Sequence, residues 1–272
     1  MIRWRRHLGL LVGGAVVAVW VVAAGAAPFL TPYGSDEQQL EVAFSPPSPA
    51  HLFGTDDLGR DVLTRVLYGG RYTLALAVSV VALAGVAGMM IGAFSGYLGG
   101  WADEGVMRAT ELVMAFPAII LAMAIVVALG PGLVNAGLAM LLVWWPPYAR
   151  LARGEVLAIR TLEYVEAATA IGQTRWGIFR RTILPNVLPG MVVLATIDLG
   201  SAIVTGAGLS FLGLGATPPA PEWGAMVSAG RELLAQWWVA TFPGLAIFLA
   251  VIAFNFVGDG IRDVLDPRRR GG

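Results

Sequence analysis

The chain has 272 residues, 57% hydrophobic and 13% charged, with a mean hydropathy of +0.73. Soluble domains carry about 25% charged residues, so this composition belongs to an integral membrane protein. Zero net charge without long single-sign runs leaves nucleic acid no electrostatic footprint, the absence of cysteine excludes disulfides and thiolate chemistry, and without lysine there is no P-loop, so any ATP is bound by another chain.

Stretches of roughly 20 predominantly apolar residues bounded by charge read as spans. Six emerge, near residues 8–27, 72–97, 107–129, 132–149, 188–211 and 241–258. The first is expected to be an uncleaved anchor, because its apolar run from Leu8 to Ala27 exceeds the roughly 7–15 residues of a signal sequence. A loop holding Pro28, Pro32, Pro46, Pro47 and Pro49 follows. "TDDLGRDVLTRVLYG" then reads as an interfacial helix with Thr55 as N-cap, Asp56 and Asp57 in its first turn, and Leu58, Val62 and Val66 on one face. Asp56, Asp57 and Asp61 lack the alternating ligand spacing of a calcium loop, so capping is their expected role. The only histidines, His7 and His51, are expected to be solvated surface residues. Residues 1–70 thus read as an anchor plus an external loop with an interfacial helix, and 71–272 as a five-helix core.

Farther along, Arg108 and Glu111 are spaced to pair at the membrane interface. Trp144, Trp145, Trp237 and Trp238 suit interfacial aromatic belts. Residues 150–187 then break the apolar pattern with a polar island, "EYVEAATAIGQTRWGIFRRTILPN" (Glu163–Asn186). Leu162, Val165, Ala168 and Thr169 fall at helical spacing, Gly172 interrupts, and Trp176, Ile178 and Phe179 begin a second short piece. Pro185 and Pro189 are expected to reset the backbone before the next span. A helix, turn and helix with an apolar stripe outside the bilayer is either a hairpin resting on lipid or a docking element for a cytoplasmic partner. In the fifth span Asp198 costs roughly 2.5–3.5 kcal/mol, against about 0.3–0.6 returned by each Leu, Ile or Val. It is expected to face the bundle interior or water, beside the small or hydroxylated Gly200, Ser201, Thr205 and Gly206. There it borders a translocation path and attracts a cationic amine, or it hydrogen-bonds a partner helix.

Glu166-Ala167-Ala168, Gly172 and Leu184-Pro185 stand at the spacing of a known loop: E-A-A, three residues, G, then nine residues and two more before L-P. The island thereby resembles that of permease subunits of ATP-binding-cassette importers, with Thr182 where Ile or His is commoner. His51–Arg71, Arg108–Ala122, Tyr148–Leu157, Leu209–Gly224 and Asn255–Arg268 look like the second-permease type of the dipeptide, oligopeptide and nickel branch. Relatives often carry an acidic residue near Gly206, which this chain lacks. The resemblance implies an all-α membrane protein of the type I importer permease fold, with six transmembrane helices and both termini cytoplasmic, in the cell membrane of a prokaryote. It implies that Glu166, Ala167, Ala168, Gly172, Leu184 and Pro185 couple the spans to an ATP-hydrolysing subunit. Gly172 would allow close backbone approach, and Glu166 would pair with a basic residue across the joint. The implied partners are a second permease, two ATP-binding subunits on the cytoplasmic loop, an external solute-binding protein and the bilayer. No nucleic acid, cofactor, metal or catalytic residue is implied. The implied solute is a di- or oligopeptide; the alternative is the same importer class serving nickel, another metal chelate or a short oligosaccharide. A lone channel would show a selectivity ring or repeated pore motif, and an intramembrane enzyme would give Asp198 an intramembrane partner; neither pattern is present.

Fourteen of the 18 basic residues, all arginine, fall on one side of this span scheme, and Arg60, Arg65, Arg71 and Arg231 fall on the other. The richer side is cytoplasmic. A cysteine at Gln173 is therefore expected to react with impermeant thiol reagents only from the cytoplasm, and one at Ser48 only from outside; the opposite labelling pattern reverses the topology.

Overall fold

The computed structural model describes residues 2–265; Arg268, Arg269 and Arg270, counted above for orientation, lie outside the described residues. Among the described residues every regular element is helical, apart from an isolated bridge between Thr55 and Asp61. The order is α1 (Ile2–Gly25), α2 (Ala27–Leu30), a 3-10 turn at Leu40–Val42, α3 (Val62–Leu98), α4 (Gly100–Met114), α5 (Ala118–Leu129), α6 (Leu133–Ile159), α7 (Glu163–Ala170), α8 (Arg175–Ile178), α9 (Leu184–Phe211), α10 (Trp223–Gly230) and α11 (Trp238–Leu265). Four helical runs are long and apolar enough to cross a bilayer: Leu8–Gly25, Val62–Leu98, Arg175–Phe211 and Trp238–Leu265. A fifth crossing is made if α4 and α5 count as one span, bent by 88°. Pro117 stands at that bend and biases Phe116 away from helix, so the third span is broken where one continuous run was expected. α6 is 27 residues long but carries Arg150, Arg153 and Glu155 toward its C-terminal end.

The helix expected from Thr55 begins instead at Val62. Gly59, at φ +70°, interrupts the stretch, and the Thr55 hydroxyl is committed elsewhere, donating to the Val42 carbonyl and accepting from the Ser45 N–H. Asp61 is the N-cap, its carboxylate accepting from the Thr64 N–H at 2.8 Å and hydroxyl at 2.7 Å. With the cap displaced, no separate interfacial helix forms and α3 runs unbroken for 37 residues. Asp56 serves an ion-paired loop, with Arg60 Nε at 2.7 Å and Arg65 Nε at 3.5 Å. His51 is buried, not solvated: Nδ1 lies 3.0 Å from Asp61 Oδ1, and the ring stacks on Tyr33 at 4.8 Å. Trp238 is also a core residue, its Nε1 donating to the Thr55 carbonyl at 3.0 Å. Arg108 pairs with Glu104, four residues back, and not with Glu111. That pair is exposed and contributes little to stability.

Two clusters make the core. Near α10, the buried Trp223 donates to the Val66 carbonyl at 2.8 Å and meets Trp20 edge-on at 4.9 Å. Beside it the wholly buried Glu222 caps α10 through the Ala225 N–H and accepts from the Thr73 hydroxyl at 3.0 Å. The second cluster joins Tyr148, Ala152 and Val156 of α6 to Val165, Ala168, Ile178 and Phe179 of the polar island. Between α3 and α6 the backbones touch along Gly88 and Gly92. A Cβ at Gly92 would stand 1.9 Å from the Ala149 carbonyl oxygen, and one at Gly88 2.3 Å from that of Trp145. Since overpacking costs typically about 1–3 kcal/mol, Gly92→Ala is expected to lower the thermal midpoint of the detergent-purified protein. Gly105→Ala, whose added carbon meets nothing within 4 Å, is expected to leave it unchanged or raise it. Equal midpoints for the two variants would contradict the backbone contact.

Candidate functional site

α7 buries only Val165 and Ala168 and leaves Tyr164, Glu166 and Ala167 exposed, with Ile171 exposed just beyond it. The helix closes in a Schellman motif: the Gly172 N–H donates to Thr169 O at 3.0 Å and the Gln173 N–H to Ala168 O at 3.1 Å. Gly172 has φ +81°, a conformation that disfavours side chains. No atom of this chain lies within 4 Å of where its Cβ would be, so the left-handed turn alone accounts for glycine here, and the space above it is open.

Thr174 caps α8, its hydroxyl accepting from the Gly177 N–H at 3.1 Å. From there the island is fastened to the end of α3 by rings. Phe179 stacks on Phe94 with centroids 4.5 Å apart and lies 5.4 Å from Tyr97, while Trp176 covers Phe94 at 6.0 Å. The Tyr97 hydroxyl donates to the Arg175 carbonyl at 2.9 Å. Phe179–Ile183 then forms a single π-helical turn, in which the Leu184 N–H reaches Phe179 O, and the chain continues without a break into α9. Pro185 falls in the first turn of α9. The wider turn relieves the clash Pro185 makes with the carbonyl four residues earlier, and Pro189 lies inside the same continuous helix, so the backbone is reset at neither, contrary to expectation.

Glu166, Ala167, Gly172 and Pro185 are exposed, Leu184 is half-buried and Ala168 is buried. Glu166 to Gly172 form one continuous surface, and Leu184 and Pro185 follow a π-turn later, at the root of α9. Beneath them sits a clamp that sequence reasoning missed. Arg153 of α6 holds Asp103 of α4 through two bonds of 2.6 Å, Ser95 of α3 donates to the same carboxylate at 2.6 Å, and Arg160 donates to Gly96 O at 3.0 Å. Bidentate charge-assisted bonds fix orientation as well as distance. Its members lie far apart in the chain, so no local pattern announces it.

Asp198 lies midway along α9 with Ser201 and Thr205 on the same face. It lines a cavity of about 390 Å³ whose other walls are Met114, Phe116 and Ala118 at the α4–α5 break and Val143, Trp144 and Pro147 of α6. Ser201 is exposed and Thr205 half-buried, and neither lines this cavity. The hydroxyl of the wholly buried Tyr148 faces Asp198 but has no hydrogen bond of good geometry.

An all-helical bundle whose polar helix–turn–helix is fastened to the ends of its apolar helices has the architecture of a membrane transport permease. The chain belongs to the family described as binding-protein-dependent transport system inner membrane component, which it matches over residues 88–271. Residues 1–47 match the N-terminal TM domain of oligopeptide transport permease C. It is 47% identical to a probable D,D-dipeptide transport system permease protein of Escherichia coli (strain K12), over 90% of this chain and 82% of the relative. A glutathione transport system permease protein of Pectobacterium atrosepticum is 42% identical over 97% of this chain and 90% of its own length. A dipeptide transport system permease protein of Alkalihalophilus pseudofirmus is 41% identical over 96% and 86%. Among solved structures, the MetNI methionine ABC transporter in inward-facing conformations matches with a TM-score of 0.61 at 24% identity, over 74% of this chain and 96% of that chain, a likeness of fold. The protein is thus a multi-pass inner-membrane permease.

Phe179→Ala removes the centre of the ring stack and is expected to cost about 3–5 kcal/mol of local stability. Tyr97→Phe removes one hydrogen bond, worth about 0.5–1.5 kcal/mol. Tryptic cleavage after Arg175 is expected to accelerate strongly in the first variant and slightly in the second; unchanged cleavage in both would mean that the rings do not hold the island.

Proposed function

We propose that this chain is the transmembrane permease subunit of an ATP-driven importer of di- or oligopeptides. It crosses the membrane six times with both termini in the cytoplasm, forms the translocation path with a second permease, and receives its solute from an external binding protein. Two ATP-binding subunits dock on the loop 150–187; ATP hydrolysis belongs to them. The names of the relatives support the solute class.

The observation that carries the coupling role is the two-sided build of the island. One side is bonded into α3 through Phe94, Tyr97, Trp176 and Phe179, while the other presents Tyr164, Glu166, Ala167 and Ile171 without a partner among the described residues. A hairpin resting on lipid would turn a wholly apolar stripe to one plane. The exposed arc of α7 is instead mixed, running from Tyr164 through Ala167 and Glu163 to Glu166 on its opposite rim, which suits a protein groove with both apolar and basic walls. Open space above Gly172 leaves room for a partner's backbone.

Replacing Gly172 by leucine, or Glu166 by arginine, is expected to reduce co-purification of the ATP-binding subunits or to abolish ATP-dependent uptake, while membrane insertion stays normal. Wild-type uptake and assembly in both variants would return the island to a surface hairpin.

A further inference from the structure

The cavity at Asp198 does not end at Pro147. A second one, of about 560 Å³, shares that residue and continues along the same face of α6 past Arg150, Leu151, Gly154 and Glu155, with Leu194 of α9 opposite. The two helices run antiparallel in a simple register. Glu155 Oε1 stands 3.4 Å from where a Cβ on Gly190 would be, and successive turns bring Leu194 opposite Leu151 and Asp198 opposite Pro147. Charged side chains therefore line one groove in the order Asp198, Arg150, Glu155. Arg150 follows Pro147 by three residues, about 4.5 Å of rise, and Glu155 lies about 7.5 Å farther.

Arg150 and Glu155 form no ion pair or hydrogen bond among the described residues. At the Asp198 end the buried Tyr148 hydroxyl faces the carboxylate without completing a bond, and the indole of Trp144 stands in the same wall. A carboxylate beside an aromatic ring is a setting for an ammonium group, and an open guanidinium is one for a carboxylate. Inside a membrane a charge such as Asp198 faces water or another charge, and Arg150 and Glu155 continue its groove toward the cytoplasmic end of α6.

We propose that the groove between α6 and α9 binds a zwitterion, its ammonium at Asp198 and its carboxylate at Arg150. This rests on the importer reading above and adds to it a recognition site within the permease, separate from whatever the external binding protein selects. About 4.5 Å of rise between the acid and the base is comparable to the span of a short peptide's two termini, and a cargo with only one charge leaves the other group without a partner.

The test uses the permease–ATPase complex purified with its partner subunits made cysteine-free, and Gly154→Cys as a reporter in this naturally cysteine-free chain. The labelling rate at position 154 is measured with alanyl-alanine, N-acetyl-alanyl-alanine and alanyl-alaninamide as probes. Alanyl-alanine is expected to slow labelling several-fold, and either blocked form much less. Asp198→Asn is expected to erase the penalty for N-acetylation, Arg150→Gln the penalty for amidation, and Asp198→Glu and Arg150→Lys to restore both. Equal protection by all three probes, or no protection in an assembled complex, overturns the proposal; this comparison needs no charge variant and so stands even where a variant fails to assemble. ATP-driven uptake of alanyl-alanine by the complete transporter reports separately on the importer reading. Uptake with charge-independent protection removes the groove assignment alone, and charge-dependent protection without uptake removes the peptide-import reading alone.

Discussion

The rest of the molecule is arranged around the place where α3 and α6 meet without side chains between them. Gly88 and Gly92 of α3 admit the Trp145 and Ala149 carbonyls of α6 to distances that even a methyl group would forbid. In lipid, where no aqueous driving force pushes helices together, such close approach is what dispersion forces need. The contact sets everything at that end of the bundle. It places Gly96 where Arg160 bonds its carbonyl, brings Ser95 and Arg153 to the same Asp103, and points Phe94 and Tyr97 at the polar island. Beyond Gly85 side chains fill the space between the two helices, Leu76 lying against Gly137, and an apolar crevice runs along them.

Irregular backbone follows a second constraint. A bilayer does not hydrate free N–H and C=O groups, so breaks belong where protein or a water-lined cavity surrounds them. The α4–α5 bend at Pro117 opens onto the cavity of Asp198. The approach to α10 is closed by one long-range bond, Arg65 donating to Pro219 O, and one local bond, Ser210 accepting from the Ala216 N–H. The π-turn at Phe179–Ile183 is packed beneath Phe94.

Much of this was legible in the sequence, for reasons that can be named. Apolar runs bounded by arginine locate most of the long helices, because length and hydropathy are properties of each segment alone. The island was legible through the periodicity of Val165 and Ala168 and the interruption at Gly172, all local signals. What escaped depends on competition between neighbours or on distant contacts. Thr55 and Asp61 both cap well in isolation; only the fold of residues 39–59, which occupies the Thr55 hydroxyl, decides between them. His51 reads as a surface residue and Trp238 as part of an interfacial aromatic belt until the external loop folds over them. Asp103 and Arg153 are 50 residues apart. Asp198 was conspicuous because a lone charge amid apolar residues needs an explanation, whereas Arg150 and Glu155 passed as ordinary interface charges until two cavities were seen to share Pro147.

The continuity from Arg175 to Phe211 makes one rod of 37 residues, about 55 Å long. Gripped along its middle by α6 and α11, such a rod behaves as a see-saw: a tilt of about 5° carries its two ends roughly 2 Å in opposite directions. One arm ends in the ring stack under the island. The other carries Ala207, whose carbonyl lies so near Gly224 that a Cβ there would stand 2.3 Å away, so α10 rides directly on it. A push delivered at Arg175 would therefore arrive beneath α10 with its direction reversed.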